Sequence, residues 1–127
     1  MKIFKVGILS IFLSGCQSIS TESETINKTY QGKASWYSSG KKTASGQKFN
    51  PNGFSVAHRT LPFGTIVQLT NPQNGNKVTA VVNDRGPFVK HREIDVSRGV
   101  ARSLGFIDKG TERLIIEVYN RPLKKEK

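Results

Sequence analysis

The sequence predicts a small, mainly β domain with one short helix, closed into a barrel. Three observations predict it. Apolar residues fall in short runs rich in branched side chains, Gly- and Pro-bearing turns separate those runs, and one stretch carries helical spacing. Closure is favoured over an open sheet because it removes the exposed edges that many short strands would otherwise leave. At 127 residues, 35% of them hydrophobic, the chain holds one domain with a modest core.

Taken in order, residues 1–15 stand apart from the fold. Lys2 and Lys5 precede an eight-residue, nearly all apolar run, far short of the roughly 20 residues that span a bilayer, so the segment reads as a secretory leader. It ends in Leu13-Ser14-Gly15-Cys16, which resembles the lipobox of bacterial lipoproteins. That resemblance implies cleavage before Cys16, acylation of Cys16 and a lasting membrane anchor. Gln17, where inner-membrane retention is associated with aspartate, points to the outer membrane and a periplasm-facing domain. Residues 16–29 are polar and without period, a tether. The domain is expected over 30–120, and 121–127 reads as a solvated basic tail.

Within the domain, residues 31–37 can extend. Residues 65–70 and 77–83 are strands joined by the turn-forming loop Asn71-Pro72-Gln73-Asn74-Gly75-Asn76, and Val78, Ala80 and Val82 share one face. Ser97 can cap a short helix that presents Val100, Ala101 and Leu104 on one side and ends at Gly105. Residues 113–120 form the last strand, with Leu114, Ile116 and Val118 facing opposite to Ile115, Glu117 and Tyr119.

Twenty Lys and Arg against nine Asp and Glu give a net charge of +11. Such a chain suits an acidic partner. Nucleic acid is one such partner, but the export signal argues against it. Cys16 is the only cysteine, and His58 and His91 are the only histidines, so a disulfide framework, a multi-cysteine zinc site and a His-rich cage are excluded. No metal or cofactor is expected.

Chemistry therefore rests on few carboxylates: Asp84, Glu93, Asp95, Asp108, Glu112 and Glu117. The last three read as solvated charges. Asp84, in Asn83-Asp84-Arg85-Gly86-Pro87-Phe88, stands where a strand stops at a forced turn, as a presented acid or an Asx turn. Asp95 is open to the same use, or to capping or pairing with an arginine. His58 precedes a Pro/Gly turn and is either structural or catalytic; His91 reads as exposed and idle.

The segments Gly32-Lys33-Ala34-Ser35-Trp36-Tyr37, Thr43-Ala44-Ser45-Gly46, Ala57-His58-Arg59-Thr60-Leu61-Pro62-Phe63-Gly64-Thr65, Asn83-Asp84-Arg85-Gly86-Pro87-Phe88 and Ile94-Asp95-Val96-Ser97 occur in the order of the rare lipoprotein A family, and the chain resembles it over about 31–119. The resemblance implies a six-stranded double-psi β-barrel with one or two short helices, related in shape to barwin, expansin and family 45 endoglucanase domains. It also implies a peptidoglycan lytic transglycosylase that prefers peptide-stripped glycan strands and acts at division septa. By the same resemblance Asp84 is the catalytic acid/base and His58 its companion. Trp36 and Tyr37 are candidate sugar platforms, with Thr43, Ser45, Gln47, Arg59, Asn83 and Arg85 as candidate polar contacts. The sequence departs at Gln47, where the family commonly has glutamate; an amide cannot ionise. The chain also leaves no room for the further sugar-strand-binding domain that many members carry.

One carboxylate is enough for lytic chemistry. Glycoside hydrolysis needs an acid and a second group for water or attack. In the lytic reaction the muramyl C6 hydroxyl attacks C1, so a single group can give a proton and later retrieve one. The acid must start protonated, a form that dry surroundings or a negative neighbour favour. A catalytically silent, expansin-like glycan binder and an adaptor for division proteins are the alternatives, and a monomer is expected.

Overall fold

The computed structural model describes residues 25–120; the leader, Cys16, the first part of the tether and the tail at 121–127 lie outside them. The first strand, β1 (Thr25–Tyr37), begins five residues before the expected domain boundary. It does so because the last strand, β6 (Thr111–Asn120), offers a partner: the two pair antiparallel from Thr25↔Asn120 to Ser35↔Thr111. Polar residues without periodicity extend readily once a neighbouring ladder satisfies their main chain.

Between them lie β2 (Ser55–Ala57), β3 (Ile66–Thr70), β4 (Lys77–Asp84), β5 (Ile94–Ser97) and α1 (Arg98–Leu104). The barrel closes in the order β1-β5-β2-β4-β3-β6, a six-stranded, mainly β fold with one short helix. β1 and β5 run parallel, as do β2 and β4, so the chain crosses over the barrel between them. Neither β2 nor β5 is legible as a strand in the sequence. β2 has three residues, all buried, and so shows no alternation; β5 reads as the approach to the helix it feeds.

The period-2 faces fall as expected. Ala80 and Val82 of β4, with Val78 partly buried against them, Leu114, Ile116 and Val118 of β6, and Val100, Ala101 and Leu104 of α1 point into one core, which Val67 and Leu69 of β3 join. Each fully buried aliphatic side chain there stabilises the fold by about 2 kcal/mol. Ser97 Oγ accepts from the Val100 N–H and caps α1, which Gly105 ends in the left-handed conformation at φ 79°. The β3–β4 loop is fastened to that helix end: Asn71, 2% exposed, donates through Nδ2 to the Leu104 carbonyl at 2.8 Å.

Glu112 departs from expectation. It is buried rather than solvated, with Oε1 2.9 Å from Lys109 Nζ and Oε2 accepting the Arg113 N–H. The β1–β6 pairing draws residue 112 into the ladder opposite Ala34, and the lysine partner offsets the buried charge. Asp108 is exposed, as read from the sequence.

Candidate active site

A bulge makes the site. β2 and β4 pair Val56↔Val82, but the next pair is Ala57↔Asp84, so Asn83 is an extra residue. In an unbroken strand Asp84 would share the inward face of Ala80 and Val82. The bulge re-aims it, as such irregularities do beside functional sites, and its carboxylate lands beside Tyr37 at the end of β1.

Three donors fix that carboxylate. Oδ1 accepts the Ala44 N–H at 2.7 Å and the Arg85 N–H at 2.9 Å, while Oδ2 takes the Tyr37 hydroxyl at 3.3 Å. Ala44 is delivered by a tight loop in which the Thr43 N–H bonds the Gln47 carbonyl, the Gly46 N–H bonds the Thr43 carbonyl and the Ser45 N–H reaches the Asn83 carbonyl. Because both main-chain donors occupy Oδ1, a proton on this group belongs on Oδ2. There the Tyr37 hydroxyl can turn from donor to acceptor. Burial, and then the charge of Asp84, raise the Tyr37 pKa, so the phenol keeps its proton at neutral pH. Its ring stacks on Phe49, centroids 4.8 Å apart and planes within 10°.

The expected companions divide. Gln47, exposed, accepts through Oε1 from Asn83 Nδ2 at 3.1 Å, one residue from the acid, and Asn83 Oδ1 is buried with no partner among the described residues. Ser45 lies in the same loop, its hydroxyl tied to that of Thr43 at 2.9 Å; Thr43, 5% exposed, is part of the loop's interior rather than an open sugar contact. Trp36 faces the other way from Tyr37. Its ring packs on the core and its Nε1–H donates to the Ile107 carbonyl at 3.2 Å, because neighbours on a strand point to opposite faces. The Arg85 guanidinium is turned from the Asp84 carboxylate: Nη1 donates to the carbonyls of His58, Leu61 and, at 3.4 Å, Asp84 itself, and the guanidinium lies 4.0 Å from the Phe63 ring centroid.

His58 and Asp84, 26 positions apart, meet through the main chain only, where the His58 N–H donates to the Asp84 carbonyl at 3.1 Å. The imidazole turns into a separate cavity of about 350 Å³ lined by Lys28, Tyr30, Arg59, Thr60, Leu61 and Glu93. Its Nδ1 accepts the N–H groups of Thr60 and Leu61, so Nε2 carries the hydrogen and donates to the Tyr30 hydroxyl at 3.0 Å. Burial lowers the His58 pKa, Glu93 opposes that, and Arg59, Arg85 and Lys28 add to it. The ring is a neutral strut for the turn that follows. Arg59 spans the rim of the cavity, donating to the carbonyls of Pro87 and Arg92.

Sequence reasoning missed Ala44, Phe49 and Tyr30. Ala44 acts through its main chain, which no side-chain pattern reveals. Tyr30 lay outside the segments singled out, although its spacing from Trp36 places both on the inward face of β1.

The closed six-stranded barrel, its two parallel crossings and the acid presented at a strand end define a double-psi β-barrel with a carboxylate site on its outer wall. The chain belongs to the family described as lytic transglycolase, which matches residues 29–115. Among similar proteins, a probable endolytic peptidoglycan transglycosylase RlpA of Nostoc sp. is 47% identical over 102 residues, covering 76% of this chain and 28% of the relative. The endolytic peptidoglycan transglycosylase RlpA of Neisseria meningitidis serogroup A is 47% identical over 92 residues, covering 70% and 38%. The chain thus spans about a third of the length of these relatives. The fold is shared with a Streptomyces papain inhibitor (TM-score 0.63, 23% identity, 76% of this chain and 97% of the other). It is shared too with a Clavibacter michiganensis expansin solved in complex with cellohexaose (TM-score 0.61, 20% identity, 77% and 54%).

Proposed function

We propose that this domain cleaves the β-1,4 bond between N-acetylmuramic acid and N-acetylglucosamine in peptide-stripped peptidoglycan strands, leaving 1,6-anhydro-muramyl ends. One observation carries the reading: the β4 bulge turns Asp84 out of the core, and two main-chain N–H groups and a phenol orient its carboxyl at the end of β4. Membership of the lytic transglycolase family supports it. Asp84 donates its Oδ2 proton to the glycosidic oxygen, with Tyr37 holding the acid in line, while the muramyl C6 hydroxyl closes on C1. No water enters, so one acid begins the reaction. His58 supports this at a distance, bracing the turn whose carbonyls hold Arg85.

The experiment is direct. Detergent-solubilised full chain is incubated with amidase-treated sacculi and the products are read by mass spectrometry. Anhydro-muramyl fragments from the wild type and none from Asp84→Asn are expected; their absence from the wild type refutes the reading.

Gln47 favours a second reading, a silent glycan binder. It occupies the position beside Asn83 with a group that cannot ionise. Sedimentation with sacculi without product supports this alternative. If the missing carboxylate limits turnover, Gln47→Glu raises the rate; an unchanged or lower rate counts against that idea.

We further infer that acylated Cys16 holds the domain on the periplasmic face of the outer membrane, close to the wall at division sites. Cys16→Ser is expected to move the protein from the outer-membrane fraction to the soluble fraction. Retention in the membrane fraction refutes the anchor.

A further inference from the structure

A second carboxylate shares the wall of the barrel with Asp84. Asp84 pairs with Ala57, Ala57 with Asp95, and Asp95 with Ser35, so these four residues form one row across β4, β2, β5 and β1. Ile94 and Val96 are wholly buried in the core. Asp95 between them therefore points outward, as Ser35 and Tyr37 do on β1. Ala57, 3% exposed, is the one residue between the two acids in that row. Two strand spacings separate their Cα atoms by about 10 Å. The phenol of Tyr37 is influenced by both charges.

Neither structural job the sequence offers Asp95, capping α1 or pairing directly with an arginine, falls to it. Ser97, not Asp95, caps α1. Arg92 Nη1 donates to Ser35 Oγ at 3.0 Å and makes no ion pair with Asp95 among the described residues. Ser35 Oγ in turn donates to Asp95 Oδ1. That relay orients the carboxylate and leaves Oδ2 without a donor among the described residues.

We propose that Asp95 is the second catalytic carboxylate of this face of the barrel, the base for the muramyl C6 hydroxyl. The assignment rests on the lytic reading above. In the step it completes, Asp84 gives its proton to the glycosidic oxygen as the bond from C1 to that oxygen breaks. The C6 oxygen bonds to C1, and its proton passes to Asp95. Asp84 ends ionised and Asp95 protonated, and exchange with solvent restores both.

The test uses the detergent-solubilised full chain and peptide-free glycan strands, with kcat and KM read from anhydro-muramyl product. Asp95→Asn keeps an oxygen for Ser35, so it is expected to melt near the wild type, lose at least about 100-fold in kcat and hold KM within about threefold. Asp95→Ala is expected to regain activity with added formate, which a merely structural aspartate would not show; this second variant decides if the first fails to fold. An active wild type, a dead Asp84→Asn and an Asp95→Asn within about threefold of wild type overturn the role of Asp95 and leave the lytic reading standing. A wild type that forms no product overturns both.

Discussion

In the proposed reaction Asp84 and Tyr37 act as a unit, because the phenol that donates to Oδ2 can also accept. Tyr37→Phe keeps the stacking on Phe49 and removes only that bond. It is expected to lower kcat about tenfold, KM to stay within about twofold, and the melting temperature to change little, since one hydrogen bond contributes about 1 kcal/mol. Kinetics on peptide-free strands checks it. His58 predicts the reverse pattern. Its imidazole binds a proton more weakly folded than unfolded, mainly because it is buried. The unfolded chain therefore takes up the proton first as pH falls: stability is level above the unfolded value of 6.5 and declines below it. His58→Ala is expected to cost about 2 kcal/mol, by freeing the N–H groups of Thr60 and Leu61, and to flatten that decline. Urea melts between about pH 5 and pH 8 measure both effects.

At the scale of elements, the helix and the loop before β2 interlock. Gly99 lies against the Asn52 carbonyl so closely that an added Cβ would sit 2.5 Å from that oxygen. The contact is with main chain, so it cannot be relieved by a side-chain rotation. Gly99→Ala is expected to destabilise the fold by at least about 1 kcal/mol despite alanine's better helix propensity, and thermal melts will show the sign. The helix itself, its Ser97 cap and its Gly105 stop were legible because capping is local chemistry. The hairpin of β3 and β4 was legible for the same reason. β2 and β5 were not: strands of three and four residues buried by their neighbours carry no periodic signal of their own. Trp36 and Tyr37 show the limit in one dipeptide. Alternation says that they diverge, and only the barrel says which of them meets the acid.

The whole molecule is basic, with 20 Lys and Arg against nine Asp and Glu. The ligand proposed above, peptide-stripped glycan, keeps a carboxylate on each muramic acid, and its binding is expected to weaken severalfold between about 50 and about 300 mM salt, as screening shortens the reach of those charges. Sedimentation with stripped sacculi tests this, and salt-independent binding would place recognition in neutral contacts alone. Six strands closed on one core also mean that most of the site's parts come from distant stretches of chain: residues 37, 44 and 85 donate to the carboxyl of residue 84, and the side chains of residues 47 and 83 pair beside it.

By itself the sequence determined what short-range physics controls: a β-rich domain, the hairpin, the capped helix, the inward faces of the long strands, and an acid stationed where a strand must stop. The tertiary structure alone decided which way that acid points. A strand's side-chain direction reverses with a single extra residue, and the bulge at Asn83 exists only because β2 lies beside β4. It decided equally that the rings of His58 and Trp36 turn away from Asp84 and that Asp95 stands in its row. Such placements depend on strand register, which is fixed by neighbours far along the chain.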